Sequence, residues 1–234
     1  MNDSDSAGTQ FRSAPREPGD IRAAGDCALL VIPPQRDLLT ELVAALRTRP
    51  AGVVDVLPAA ETVLVTLSSP AAAEPVRKQL SALLAGLAGA PVAGDPLGGN
   101  GSRTDPVEIP VRYDGEDLPE VAALLGLTRA ELITQHTGAV WRCAFAGFAP
   151  GFGYLESPDR RLTVPRRAQS RTAIPAGAVA LAGGYSAVYP RRSPGGWQLI
   201  GTTDLTLWDV DRDPPALVRA GTRVQFVDIE GGAA

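Results

Sequence analysis

The amino-acid sequence predicts an α+β protein in which a small α/β domain of β-α-β-β-α pattern precedes a β-barrel or sandwich. Three observations predict it. Over residues 21–90 two amphipathic helical stretches alternate with short apolar strands. A Gly/Pro-rich stretch then interrupts every periodicity, and the remainder is a succession of short strands separated by Gly and Pro.

In chain order, the opening residues 1–20 are polar and rich in Ser, Pro and Gly, which predicts a disordered arm. "GDCALLVI", Gly25 to Ile32, reads as a buried strand, and Leu38, Leu39, Leu42, Val43 and Leu46 then mark one helical face. Pro50 stops that helix. "GVVDVLP" and "ETVLVTL" read as two strands, and Val76, Leu80, Leu83, Leu84 and Leu87 repeat the helical spacing. The result is a small sheet with two helices on one face. From Gly86 to Asp105 the composition shifts to Gly, Pro and Ala, so 91–105 is read as a linker and 106–231 as the second domain. There "PVEIPVRY" is strand-like, Leu118, Val121, Leu124 and Leu125 mark a short helix, and Thr128 with Glu131 forms a capping box that starts another. Beyond Gly138, "AVWRCAFAGF", "GAVALAGGYSAVYP", "GGWQLIGTT" and "GTRVQFVDI" supply the strands of the barrel.

Bulk properties exclude several classes. A net charge of -4 and a pI of 5.1 argue against general nucleic-acid binding, which depends on many basic contacts to phosphate. No run reaches the roughly eighteen apolar residues of a membrane span, and the polar opening lacks a signal-peptide core, so we expect a cytoplasmic protein without membrane contact. Cys27 and Cys143 lie far apart without metal-ligand spacing and are read as free thiols. The charge is unevenly distributed: between Ala139 and Ile200 stand eight arginines against Glu156 and Asp159, a stretch able to hold an anion or to form a solvated face.

Several chemistries are excluded by the residues present. Lys78 is the only lysine and lies outside any P-loop pattern, no G-x-S-x-G elbow occurs, and one histidine cannot build a His-based zinc cluster. We therefore assign no metal site. His136 is the single histidine; it is either a helix-end or core residue, or a proton carrier near neutral pH. "GFAPGFGYLE", Gly147 to Glu156, packs three glycines, a proline and three aromatic rings into one turn, in a chain that is only 5% aromatic. That composition combines a turn with a recognition surface.

Three segments in order, "HTGAVWRCAFAGFAPGFGYL", "VPRRAQSRTAIPAGAVALAGGYSAVYP" and "SPGGWQLIGTT", resemble the signature of the 5-oxoprolinase B-subunit family, also called the KipI-like or allophanate hydrolase subunit 1 family. The resemblance implies a cyclophilin-like β-barrel for the C-terminal domain. It also implies membership of an ATP-dependent hydrolase complex that opens 5-oxoproline, a cyclic amide, to glutamate. The expected partners are a second cyclophilin-like subunit, of the 5-oxoprolinase C-subunit or allophanate hydrolase subunit 2 type, and a further partner of the A-subunit type. ATP is the expected cofactor, shared with or bound by those partners. Alternatives are an allophanate hydrolase-type amidohydrolase subunit and a non-catalytic regulator that binds and inhibits a histidine kinase.

On this resemblance the expected substrate site is a wall of Phe148, Phe152 and Tyr154 with Pro150, whose glycines Gly147, Gly151 and Gly153 turn backbone N–H groups toward a small ligand. The alternative is that the rings fill the barrel end or face a partner. "SPGGWQLIG" is read as a tight turn, Ser193 to Gly196 with Gly195 inside it, followed by Trp197 on a strand; with Tyr189 it forms a rim of the same mouth or a plain hairpin corner. His136 is the expected proton carrier and Arg171, in "QSRTAIP", the expected grip on a carboxylate or phosphate. Two departures from the family pattern stand out: Tyr185, Ser186 and Ala187 replace a Gln-Thr-Gly, and Thr202 replaces an arginine.

Overall fold

The computed structural model describes residues 19–35, 37–89 and 105–230. The expected arm falls outside the described residues up to residue 18, as does the expected linker up to residue 104. The described residues divide into two compact units; those before Leu57 and from Glu61 to Gly89 belong to the first, and Leu57–Ala60 counts with the second.

The first unit is a four-stranded antiparallel sheet of order β1-β2-β4-β3, made of β1 (Asp20–Ala23), β2 (Ala28–Ile32), β3 (Val53–Pro58) and β4 (Val63–Leu67). Helices α1 (Asp37–Ala45) and α2 (Ala73–Gly89) supply the other half of its core. Alternation puts Leu29, Val31, Val63, Val65 and Leu67 on one face, against Leu39, Leu42, Leu46, Val76, Leu80 and Leu84 from the helical stretches. Strand β1 is absent from the sequence reading. "DIRA" is a short, largely exposed edge with little apolar alternation, and it is held by its ladder to β2 and by Arg77, whose guanidinium donates to the Ile21 carbonyl.

In the second unit β5 (Val107–Val111) leads into α3 (Leu118–Leu125) and α4 (Arg129–Gly138). The strands that follow are β6 (Val140–Ala146), β7 (Gly153–Glu156), β8 (Arg171–Ile174), β9 (Ala178–Ala182), β10 (Tyr185–Val188), β11 (Ser193–Gly195), β12 (Gln198–Thr202) and β13 (Arg223–Asp228). Seven of the strands of this unit make one sheet of order β12-β9-β10-β7-β6-β13-β5, antiparallel except for β13 with β5. Its two edges meet: the Arg112 N–H donates to the Thr202 carbonyl at 2.9 Å, and the Thr202 N–H donates back at 2.8 Å. The sheet is therefore nearly closed and barrel-like, and the α+β class expected from the sequence is the one observed. The capping box also forms, with the Glu131 N–H on the Thr128 hydroxyl and the Thr128 N–H on the Glu131 carboxylate.

Both faces of this sheet are buried. On β9, Val179 and Leu181 join a core with Ile109, Val111, Leu118, Leu132, Trp141 and Phe226, while Ala178, Ala180 and Ala182 face an aromatic cluster. β8 and β11 pair as a separate two-stranded sheet, so Ser193–Gly195 is a strand with an irregular register rather than the tight turn expected. Pro194 sits at that irregularity, where a missing N–H is tolerated.

The seam leaves no room beside Gly115. A Cβ there would overlap the backbone of Leu199, Ile200 and Gly201. Substituting Gly115→Ala therefore forces the seam apart, and we expect a loss of about 3 kcal/mol, the upper end for overpacking. Urea unfolding of the two proteins checks this.

Candidate functional site

Six rings from β6, β7, β10 and the segments beside them form one cluster. Phe145 and Tyr154, neighbours across the β6/β7 pair, stack with centroids 4.3 Å apart. Phe152 meets Tyr154, Tyr189 and Trp197 edge-to-face at 5.1, 5.3 and 5.5 Å, and Tyr185 meets both Phe145 and Tyr154. The alanines of β9 and Ala187 of β10 leave space for these rings over the sheet. Four of the expected wall and rim residues, Phe152, Tyr154, Tyr189 and Trp197, are thus brought together, with Phe145 and Tyr185 added. Burial raises the pKa of Tyr154 and Tyr189, opposed by the charge of Arg166, so both phenols stay protonated at neutral pH.

Two glycines of "GFAPGFGYL", Gly151 and Gly153, sit where a side chain would not fit. A Cβ on Gly151, where φ is +81°, would lie 2.8 Å from the Trp208 Cβ, and one on Gly153 would lie 2.9 Å from Val218 and 3.0 Å from the Cys143 sulfur. Both residues are buried. Phe148 stands at the exposed margin of the cluster: its φ is +66°, the residue is 57% exposed, and its ring meets Phe152 and Tyr189 edge-to-face at 5.2 and 6.2 Å. Holding a phenylalanine in the left-handed region costs roughly 1–2 kcal/mol. With the exposed Pro150 it borders a cleft of about 470 Å³ lined also by Trp208, Ala216, Val218 and Arg219.

Arg171 lies at the start of β8, opposite Gly195 of β11. A Cβ on Gly195 would overlap the Tyr189 hydroxyl and crowd Ile174, and one on Gly196 would lie 2.8 Å from the Ser170 hydroxyl oxygen. The arginine therefore stands next to the aromatic cluster. Nη2 of Arg171 donates to Asp117 Oδ1 at 2.9 Å and to Glu116 at 3.0 Å, and Arg167 donates to the same Asp117 oxygen. The other oxygen of Asp117 accepts the Leu199 N–H at 2.7 Å, and the Asp117 N–H donates to the Leu199 carbonyl. Hydrogen bonding to Asp117 raises the pKa of Arg171 further and fixes its charge. Asp117, 3% exposed, escaped the sequence reading. It precedes Leu118-Pro119 with Glu120 following, a helix-cap pattern, yet its side chain makes no cap hydrogen bond and serves the arginines instead.

His136 is on the other face of the sheet and fully buried. Its Nδ1 is 2.7 Å from the Tyr113 hydroxyl and its Nε2 is 2.9 Å from the Ser186 hydroxyl of β10, so one ring nitrogen donates and the other accepts. The ring stacks on Phe226 at 4.2 Å, and the Trp141 indole N–H donates to the His136 carbonyl. Burial lowers its pKa to about 3. This is the hydrogen-bonded core histidine of the two sequence readings, a neutral imidazole without access to the aromatic cluster, and not the placement of a proton carrier near pH 7.

A family model described as "Carboxyltransferase domain, subdomain C and D" matches residues 20–218. The chain belongs to that family. The B subunit of 5-oxoprolinase from Bacillus subtilis (strain 168) is 48% identical over 126 residues, 53% of this chain and 52% of that protein. The protein of the same name from Escherichia coli O157:H7 is 46% identical over 129 residues, 54% of this chain and 59% of that protein. The resemblance to the B-subunit family is thereby borne out, and the chain spans about half the length of these curated relatives. The crystal structure of TTHA0988 is 34% identical with a TM-score of 0.64, covering 92% of this chain and 41% of that one.

Within this carboxyltransferase-family chain the two departures from the expected pattern have structural roles. Ser186 is the partner of His136, and Thr202 closes the seam while its hydroxyl donates to Asp114 at 2.9 Å. The buried histidine also predicts a pH dependence. Because the folded pKa lies below the ordinary 6.5, the stabilisation is complete above that value and is lost as pH falls toward 3. Between pH 6.5 and 5 the slope approaches about 1.4 kcal/mol per pH unit for this one proton. His136→Gln removes that component, so its urea midpoint is expected to fall less than the wild-type midpoint between pH 7 and about pH 5.

Proposed function

We propose that this chain acts as the B subunit of a 5-oxoprolinase, a hydrolase complex that opens the lactam of 5-oxoproline to glutamate with the use of ATP. The observation that carries this reading is the placement of Arg171 beside the aromatic cluster, in a chain whose relatives include B subunits of 5-oxoprolinase. The lactam is a compact ring with one carboxylate. Phe152, Tyr154, Tyr189 and Trp197 offer an apolar wall for the ring, and Arg171 offers a fixed cation for the carboxylate. Polar contacts made against such a wall are stronger than in water.

Two features among the described residues lead us to look for the nucleotide on the partners. Lys78, the only lysine, lies on α2 in the first unit, and among the described residues no three His, Cys, Asp or Glu side chains are grouped to hold a metal ion. We therefore assign the nucleotide to partners of the C-subunit and A-subunit types that the resemblance implies, and derive no step through it. No helix among the described residues is long and apolar enough to cross a membrane. The cleft beside Phe148 and Trp208, 57% and 38% exposed, is our candidate for the partner contact. It combines exposed rings with a strained backbone, features that neither the aromatic cluster nor the core requires.

Two outcomes test the reading. The isolated chain should show no ATP hydrolysis dependent on 5-oxoproline, and the complex reconstituted with its partners should show it. Robust turnover by the chain alone contradicts the shared site, and an inert full complex favours a binding module that does no chemistry. In sedimentation experiments Phe148→Asp should weaken assembly by about tenfold or more while leaving the circular dichroism of the chain unchanged, because the ring is exposed.

A further inference from the structure

A second pocket lies at the other end of the β6/β7 pair from Phe145 and Tyr154, where β6 begins beyond α4 and β7 runs out into residues 157–162. Its volume is about 420 Å³, within the range of small-molecule sites. The buried Trp141 and Leu162, with Val140 and Pro158, give it an apolar lining. Four polar side chains line the same space: Gln135 of α4, and Ser157, Asp159 and Arg161 of the segment after β7. The two charges are held as a pair. Arg161 Nε meets Asp159 Oδ2 at 3.0 Å, and Asp159 Oδ1 accepts the Arg161 backbone N–H and the Ser157 hydroxyl, each at 3.3 Å. Arg160, between the two, has a φ of +50°, which non-glycine residues seldom adopt and which recurs at binding sites. This arrangement leaves two groups idle: the Nη atoms of Arg161 and the side-chain amide of Gln135 meet no partner among the described residues.

The lining describes a zwitterion with an apolar body. The Nη donors of Arg161 call for a carboxylate, which a guanidinium binds through charge-assisted hydrogen bonds. The Gln135 amide oxygen, the Ser157 hydroxyl oxygen and the Asp159 carboxylate are acceptors, and together they call for an ammonium. We propose that this pocket binds a free α-amino acid with an apolar side chain. Its carboxylate rests on Arg161, its ammonium on Gln135, Ser157 and Asp159, and its side chain on Trp141 and Leu162. No residue of the pocket belongs to the aromatic cluster or to the arginines held by Asp117, so the site stands or falls apart from the 5-oxoprolinase reading. The ligand class differs too: a lactam has no ammonium, and a second carboxylate, as in glutamate, would meet the apolar lining.

Titration calorimetry of the full chain, with no partner present, tests this with four probes: L-leucine, L-leucinamide without the carboxylate, N-acetyl-L-leucine without the ammonium, and glycine without the side chain. We expect leucine to bind at least about tenfold more tightly than each of the others. Arg161 is exposed, so Arg161→Gln should leave the fold intact and bring leucine down to the affinity of leucinamide. A Cβ on Gly138, which also lines the pocket, meets no atom within 4 Å. Gly138→Leu therefore adds a side chain there without overlap, and it should abolish leucine binding without lowering the urea midpoint. Wild-type leucine affinity in either variant would overturn the proposal. So would absence of leucine binding to the wild-type chain, or equal affinity there for leucine and any one of the other three probes.

Discussion

The carboxylate of Asp117 ties together parts of the second unit that lie up to 82 residues apart in sequence. One oxygen takes the Leu199 N–H on β12, and the other takes both Arg167 and Arg171. Its backbone N–H returns a bond to Leu199, and its carbonyl accepts the Val121 N–H to begin α3. A carboxylate buried this deeply is tolerable only with such a full set of donors. Gly115, two residues earlier, permits the approach of this segment to β12, and the Arg112–Thr202 bridge closes the sheet beside it. Closure of the barrel and placement of the arginines therefore depend on the same few residues.

The sheet separates two kinds of interior. On one side aliphatic side chains and the neutral His136 form a conventional core. On the other, small alanines on β9 and β10 make room for stacked and edge-on rings, with the arginine cluster at their margin. Such a division gives an aliphatic core on the first side and a core of packed rings on the second. It also explains why the only histidine is unsuited to proton exchange: the rings it touches, Phe226 and Trp141, exclude the water that would stabilise its cation.

Much of this was legible in the sequence because periodicity reports burial. Leu39, Leu42 and Leu46, and Val76, Leu80 and Leu84, stand where their spacing put them, and the Thr128–Glu131 box starts α4. The aromatic residues from Phe152 to Trp197 were recognisable as a group by composition and motif. What escaped depends on contacts distant in sequence. "DIRA" is a strand because β2 offers an edge, Ser193–Gly195 is a strand because β8 does, and neither carries a strong pattern of its own. Asp117 looks like a helix cap until the arginines 50 and 54 residues later are placed beside it. The crowding of Gly151 by Trp208 and of Gly153 by Val218 likewise depends on residues more than fifty positions away.

In the function we propose, Arg171, held by Asp117, receives the substrate carboxylate beside the aromatic cluster. A crystal structure of the assembled complex with 5-oxoproline bound tests this most directly. We expect the substrate carboxylate against Arg171 and the lactam ring beside the aromatic cluster. Density for 5-oxoproline at another site, with Arg171 unengaged by ligand, would contradict it.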